Sequence, residues 1–375
     1  MDLAGAPGRD PRTGRALCFG ARFVVQWHLT DRCNLRCRHC YHEGPPRPAL
    51  DPAARRAVLA EVAEFLARRG LRGRIHFAGG EPFADTDLVP LVRDAVARGF
   101  TARVLTNGTM IRADAARALA AAGCGGVQVS VEGPAAAHDA VRGPGSLAAA
   151  LAGARCAQAA GVPVTLAMTV HRDNVGAVGA LPDLAAGGAA ARLYYARLVP
   201  LGRGAELAVV TRREWHGALR RVLAIARARR LEVALRDPTF RPLTLAPAHA
   251  AAADAVGGCA AGYRTLTIEA DGTVMACRRL GVALGRLGEQ RLDEIWEEHE
   301  DLTALRDRDR LRGACGACPY RWVCGGCRAV ALAVAGDALA ADPQCPWPLW
   351  RVKGRAGLRA LGRRAAAALA GVPAW

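Results

Sequence analysis

Thirteen of the 375 residues are cysteine, and ten of those fall into two groups. Cys33, Cys37 and Cys40 form a C-x3-C-x2-C triplet near the N-terminus. Cys259, Cys277, Cys315, Cys318, Cys324, Cys327 and Cys345 crowd the last third. Cys18, Cys124 and Cys156 stand apart and read as small buried hydrophobes. In a reducing compartment such a set is no disulfide framework, so thiolate-rich metal binding is the chemistry to consider. Structural zinc usually pairs two C-x2-C knuckles across a loop of about 12–20 residues, whereas five residues separate Cys318 from Cys324. A C-x2-C followed by His would signal covalent haem, but Tyr41 follows Cys40. Three thiolates on one short loop suit a cubane iron–sulfur cluster with one iron left open. Zinc stays as the alternative, more so for the C-terminal group than for the triplet.

The elements around the triplet come next. Residues 23–29 are a short apolar, β-rich run, so they read as a strand running directly into the cysteine loop. Residues 51–69 read as a helix, with Asp51 as N-cap, Pro52 at the first helical position and Gly70 at its end. Strand-like runs at 74–77, 103–106, 126–131, 162–170 and 192–199 then alternate with helical stretches at 87–98, 112–122, 146–160, 174–186 and 212–230. Six β/α units in about 210 residues predict an α/β fold with a parallel sheet, a partial (β/α)6 TIM-like barrel. Chemistry in such folds sits at the C-terminal ends of the strands, and the cysteine loop occupies that position on the first. Three more strand ends carry unusual residues: Gly79-Gly80-Glu81-Pro82, Thr106-Asn107-Gly108 and Ser130-Val131-Glu132-Gly133. Each alone is ordinary turn chemistry; together, on the rim that bears the triplet, they mark a site. Two adjacent glycines let backbone amides approach a ligand closely.

Composition narrows the class. With 51% hydrophobic and 23% charged residues the chain is neither disordered nor collagen-like. It has no apolar run of about 18 residues, so no membrane span is expected, and residues 1–22 lack the apolar core of a secretory signal. The expected location is the cytoplasm. The formal charge is +17, and every basic residue but Lys353 is Arg. Because the Arg is spread along the whole chain, it reads as compositional bias on a solvated surface, with no nucleic acid expected; an acidic partner or anionic substrate is the alternative.

CNLRCRHCY at 33–41, GGEP at 79–82, TNG at 106–108 and SVEGPAAAHDAVRG at 130–143 together resemble the radical S-adenosylmethionine (radical SAM) superfamily, over residues 22–230. The resemblance implies that the triplet binds a [4Fe–4S] cluster whose open iron chelates the amino and carboxylate groups of SAM. It also implies that Gly79, Gly80, Glu81 and Pro82 hold the methionine end, that Ser130 and Arg142 lie near the ribose and carboxylate, and that Asn107 and Glu132 belong to the same site. His39 replaces the usual aromatic residue two positions after the second cysteine. One-electron cleavage of the sulfonium gives a 5′-deoxyadenosyl radical, which attacks C–H bonds indiscriminately, so a barrel that excludes water is required.

The C-terminal cysteines resemble the SPASM extension of these enzymes, a small cysteine-rich domain. Within it, residues 265–269 and 273–277 flank Ala270-Asp271-Gly272 and read as a β-hairpin. The resemblance assigns Cys259, Cys277 and Cys327 to a first auxiliary [4Fe–4S] cluster, and Cys315, Cys318, Cys324 and Cys345 to a second. No fourth cysteine is visible for the first, so one or two auxiliary clusters are expected. Gly325-Gly326 also puts two residues where three are common before the last clustered cysteine. Sulfatase-maturing enzymes of this branch carry a catalytic Asp just after the cysteine matching Cys277; here the residue is Arg278, which counts against that activity.

The resulting layout is an N-terminal extension (1–22), a radical SAM core (23–235), a bridge (236–256), a SPASM domain (257–350) and a basic tail (351–375). Maturation of a ribosomally made peptide leads among activities; the alternative is side-chain modification of a tetrapyrrole of haem or haem d1 type, since the 318–345 segment resembles a branch that includes enzymes modifying such precursors, or other cofactor biosynthesis. About 20 residues before the barrel are expected to be too few for a built-in leader-recognition domain, so a peptide substrate would need a separate recognition protein or direct docking. A reductant such as flavodoxin or ferredoxin is implied. Tyr194, Tyr195 and Arg278 are the candidate catalytic residues. His28, His76 and His171 are expected to be satisfied structural histidines.

Overall fold

The computed structural model describes residues 13–17, 22–42, 44–229, 231–234, 236–244, 247–252 and 254–347. Cys18, most of the expected N-terminal extension and the basic tail lie outside the described residues.

Among the described residues twelve strands are formed: β1 Ala16–Leu17, β2 Arg22–His28, β3 Arg72–Ala78, β4 Thr101–Thr106, β5 Val127–Ser130, β6 Val164–Val170, β7 Arg192–Arg197, β8 Glu232–Ala234, β9 Ala255–Val256, β10 Thr265–Ile268, β11 Thr273–Met275 and β12 Ala283–Arg286. β2 shows why these residues extend: Phe23, Val25 and Trp27 alternate into the core, each at most 1% exposed. From β2 to β8 the strands pair in parallel, in sequence order. Each of the first six is followed by helix, giving the expected six β/α units, and β8 adds a seventh strand that the sequence pattern did not mark.

The helix Pro52–Arg68 starts where its capping residues put it, Asp51 accepting the Ala54 N–H at 2.8 Å. The stretch expected as one helix over 174–186 is broken instead. It contains a 3-10 turn Val175–Ala177, the short helix Ala180–Leu184 and a π-type turn Ala185–Ala189. Gly188, at φ +78, leaves the helical region there. Ala135–Arg142, read from sequence only as part of a motif, is a helix ended by Gly143.

The C-terminal third is stitched to the barrel through the same sheet. β10 and β11 form the expected antiparallel hairpin, β12 extends it, and β10 pairs in parallel with β2, Thr265 beside Val24 and Ile268 beside Trp27. The helix Leu292–Glu298 packs on the same side. There Trp296 meets Phe23 and Phe65 edge-to-face at centroid distances of 5.2 and 5.9 Å, contacts worth about 0.5–1.5 kcal/mol each beyond burial.

Candidate active site

The C-terminal ends of β2 to β7 open into one cavity of about 610 Å³, the size of a cofactor-plus-substrate pocket. Cys33, Cys37 and Cys40 line it, as do Gly79, Gly80, Asn107, Ser130 and Arg142. Residues about 110 positions apart in sequence are thus brought together, as the parallel sheet requires.

The turn after β3 is built against the cysteine loop. The Gly80 and Glu81 amides donate to the carbonyls of Thr30 and Arg32 at 2.7 and 2.9 Å. A Cβ on Gly80 would stand 2.4 Å from the Arg32 oxygen, so only glycine fits that approach. These two glycines therefore pack backbone on backbone as well as facing the cavity. Glu81 and Pro82 do not line it. Fully buried, Glu81 accepts hydrogen bonds from Thr106 Oγ1 (2.7 Å), the Asn107 amide (2.8 Å) and the Phe83 amide (3.1 Å), tying the Thr106-Asn107-Gly108 turn to its neighbour. Burial nevertheless pushes its carboxyl above the usual range.

On the opposite wall, Arg142 reaches Cys37. Its Nη1 lies 3.8 Å from Cys37 Sγ, while Nε and Nη2 grip Glu132 Oε1 at 3.0 and 2.7 Å. Glu132 also accepts from the Thr169 amide and lies behind the cavity wall. Burial alone would raise its carboxyl, but Arg142 and His39 hold it below the ordinary value. Burial drives His39 down to about 4, so its imidazole is neutral at physiological pH, and its Nδ1 is buried without a partner among the described residues. That orphaned polar atom, beside three thiols and a guanidinium, fits a polar cofactor in this cavity.

The third wall comes from the C-terminal domain. Arg278 and Arg279 both line the cavity; Arg278 stacks over the Tyr41 ring at 5.0 Å and donates to its hydroxyl at 3.3 Å. Tyr194 lines the cavity, whereas Tyr195 points away, its hydroxyl donating to the Val178 carbonyl at 2.8 Å. Arg279 and Arg203 were not among the candidate site residues, nor was Tyr41 beyond its place after Cys40. Arg203 Nε donates to the Cys37 carbonyl at 3.0 Å. Among the described residues seven arginines line the cavity against one carboxylate, Asp31, which Arg47 already holds bidentately at 2.7 and 2.9 Å.

Behind that wall the remaining cysteines form two neighbourhoods. Burial raises Cys324 well above the thiol norm, and the charges of Cys345, Cys315 and Cys318 add to it. Cys345 is pushed to about 12 in the same way. Cys315 accepts from the Asp342 amide at 3.4 Å and faces Arg328 Nη2 at 3.6 Å. Cys327 is raised to about 11 by burial against the pull of Arg279 and Arg197, with Cys259 its nearest thiol influence. Arg279 senses Cys327 and Cys277 together. Such clustered, buried thiols become stable anions only with metal, and among the described residues no group of three or more His, Cys, Asp or Glu is arranged around a single ion.

The fully buried Arg197, on β7, locks these layers together. It grips Asp237 in the bridge and Asp342 in the C-terminal domain, with Nε and Nη2 each 2.8 Å from one carboxylate oxygen. Of the three structural histidines, His28 is satisfied, its Nδ1 lying 2.8 Å from Glu269 Oε2. His76 Nε2 and both His171 ring nitrogens have no hydrogen-bond partner among the described residues.

Residues 27–180 match the radical SAM superfamily, and residues 259–319 match the SPASM iron-sulfur cluster-binding domain. The AdoMet-dependent heme synthase of Methanosarcina barkeri is 30% identical over 349 residues, covering 86% of this chain and 95% of the relative. The PqqA peptide cyclase of Xanthomonas campestris pv. campestris is 32% identical over 360 residues, covering 92% and 90%. Among solved structures, Streptococcus suis SuiB bound to S-adenosylmethionine has a TM-score of 0.67 at 15% identity, covering 86% of this chain and 77% of that one, a likeness of fold. The chain belongs to the radical SAM superfamily in its SPASM-bearing branch, and is an enzyme that uses a [4Fe–4S] cluster and S-adenosylmethionine.

Proposed function

We propose that this enzyme acts on a substrate carrying several carboxylates and that, of the peptide and tetrapyrrole classes its relatives are named for, the substrate is a propionate-bearing tetrapyrrole. One observation carries this reading: of the arginines that line the cavity, Arg142 and Arg197 are taken by Glu132, Asp237 and Asp342, whereas Arg32, Arg36, Arg203, Arg278 and Arg279 have no carboxylate partner among the described residues, and the lining carboxylate Asp31 is already held by Arg47. Arg278 meets the cysteine loop at Tyr41 and Arg279 lines the same cavity, and guanidinium forks match carboxylates bidentately. The likeness to an AdoMet-dependent heme synthase agrees with it. The likeness to a PqqA peptide cyclase favours a second reading, an acidic stretch of a ribosomally made peptide.

In either case Cys33, Cys37 and Cys40 would hold the cluster, and Gly79, Gly80, Asn107, Ser130 and Arg142 would receive SAM. Glu81, Pro82 and Glu132 would position them from behind. When bound, cluster and SAM supply a hydrogen-abstracting 5′-deoxyadenosyl radical. The apolar lining, Leu105, Met168 and Leu198 among it, keeps water from that chemistry. Arg142 stabilises negative charge at Cys37, and Tyr194 and Arg278 are the side chains placed to contact substrate. Cys315, Cys318, Cys324 and Cys345 would hold one auxiliary [4Fe–4S] cluster. Cys259, Cys277 and Cys327 would contribute three ligands to another. The functional units are the core at 23–235, the bridge at 236–256 and the SPASM domain at 257–350. The reading places the enzyme in the cytoplasm, with electrons from a flavodoxin- or ferredoxin-type donor; the peptide reading adds a separate leader-recognition protein.

The test is 5′-deoxyadenosine release by anaerobically reconstituted enzyme, offered propionate-bearing tetrapyrroles or acidic peptides. Tetrapyrroles should stimulate release, and Arg278→Leu should raise their KM about 10–100-fold, the loss of one charge-assisted hydrogen bond of about 1.5–3 kcal/mol. Stimulation by peptides alone would refute the tetrapyrrole assignment.

A further inference from the structure

At the other end of the barrel lies a second polar site with no part in the chemistry above. Arg74 and His76 on β3 point to one face of the sheet, and the register sets His76 beside Arg103 on β4 and Thr165 on β6 beside Arg192 on β7. With Arg236, just beyond β8, these side chains converge in the lumen. Among the described residues the carboxylate seen in an ion pair with them is Glu232, 2.7 Å from Arg192. Arg74 Nε, His76 Nε2 and Arg103 Nε are buried with no hydrogen-bond partner among the described residues. Arg74 and His76 are themselves more than nine-tenths buried. Burial, then the charges of Arg103, Arg236, Arg22 and Arg192, drives Arg74 down to about 10. Between these groups is a cavity of about 20 Å³, lined by His76, Arg103, Thr165, Arg192 and Arg236. Leu105, Gln128 and Tyr194 line both this cavity and the large one, so the floor of the active site is its roof.

We propose that this lumen site binds a single monatomic anion of chloride size, held by Arg103, Arg192 and Arg236 beneath Tyr194. Arg74 is buried, Arg103 and Arg192 are half-buried and Arg236 is exposed, so the cost of crowding like charges without counter-charge falls on the first three. A water molecule would fit, since a site needs about 10–15 Å³ for one, but would leave four guanidiniums facing one carboxylate. A halide fills the same space and supplies the missing charge; sulfate or phosphate is too large without displacing the roof. Arg236 is exposed, which gives the ion a route in from solvent. Its role is to hold the floor of the active-site cavity, not to enter the reaction.

Two measurements decide it, and neither depends on the substrate assignment. Crystals of the reconstituted holoenzyme grown with bromide in place of chloride should give an anomalous peak between Arg103 and Arg192. Bromide on the outer surface alone, or sulfate in the lumen, overturns the proposal. In solution, thermal unfolding in sodium chloride and sodium gluconate at equal ionic strength should show a chloride-specific rise in midpoint for the wild type. Arg103→Gln should lose at least half of that rise, because a ligand that binds only the folded state stabilises it by mass action. An equal rise in both proteins overturns the proposal.

Discussion

Replacing Arg197 by Leu should loosen the joint between barrel and C-terminal domain more than any other single change on that side of the cavity. The side chain has no exposed surface. Its five donors spread over Asp237 (2.8 and 3.2 Å), Asp342 (3.0 and 2.8 Å) and Gln344 (3.1 Å). Leucine leaves two buried carboxylates without a counter-ion. Asp342 keeps the Cys327 and Gln344 amides, and Asp237 keeps the Thr239 amide, so hydrogen bonding is partly preserved and charge is not. Breaking a buried pair costs about 3–5 kcal/mol, or about 10²–10³ in the local opening equilibrium. Hydrogen exchange in the native holoenzyme reads this without reversible unfolding: the Cys327 amide, bonded to Asp342, should exchange faster by that factor. The sign with pH is fixed. Burial would raise Asp342, but Arg197 holds it below the ordinary value, so in the wild type its contribution is full above the unfolded carboxyl range and lost as pH falls through the folded value. In the variant burial, the largest influence, is opposed only by the two amides, so the carboxyl rises and the penalty shrinks as pH drops from 8 towards 5.5. A gain in exchange below tenfold at pH 8, or a gap that does not narrow on acidification, would refute the reasoning.

Other expectations follow from the same contacts. Cys33/Cys37/Cys40→Ala should lower iron by about four per chain, from about twelve to eight if two auxiliary clusters are present or from eight to four if one is; zinc with no loss in the variant would contradict the mechanism. Glu81→Gln should weaken SAM binding about 5–100-fold in equilibrium dialysis, because one oxygen that accepts from Thr106 or Asn107 is replaced by a donor, a loss of about 1–3 kcal/mol. Gly80→Ala should reduce cluster content as well as SAM affinity, since its Cβ would stand 2.4 Å from the Arg32 carbonyl oxygen in the cysteine loop; iron analysis separates this from a pure cofactor-binding defect.

The barrel was legible because its strands carry apolar or β-branched runs bounded by turn residues, and β2 to β7 lie within two residues of their expected bounds. The hairpin was legible from Ala270-Asp271-Gly272. The broken helix at 174–186 was not: the 3-10 turn stops at Ala177 and the helix restarts at Ala180 across Val178-Gly179, and a glycine weakens helix only where packing allows the chain to leave it. Within the site, the triplet and its partner turns could be read since each lies on a short local motif. Arg279 and Arg203 could not, because only the fold brings them to this cavity, and although Tyr41 follows Cys40 directly, its contact with Arg278 likewise exists only in the fold. Tyr195 shows the limit of alternation: the period places adjacent tyrosines on opposite faces but does not say which face is the lumen. Gly202 and Gly204, packed on the Tyr41, Cys40 and His39 carbonyls, were the overlooked signal for that wall.

The parallel pairing of β10 with β2 has a consequence for synthesis. Val24 waits for Thr265, a partner about 240 residues later in the chain. At about 5–20 residues per second, that edge of β2 stays bare for roughly 12–50 s after it leaves the ribosome. Throughout that interval the strand bearing the cysteine loop presents unpaired N–H and C=O groups, a template for wrong partners, while the wall that contains Arg278 and Arg279 does not yet exist. A nascent chain stalled before residue 265 should therefore aggregate through β2, and one stalled beyond residue 290 should not.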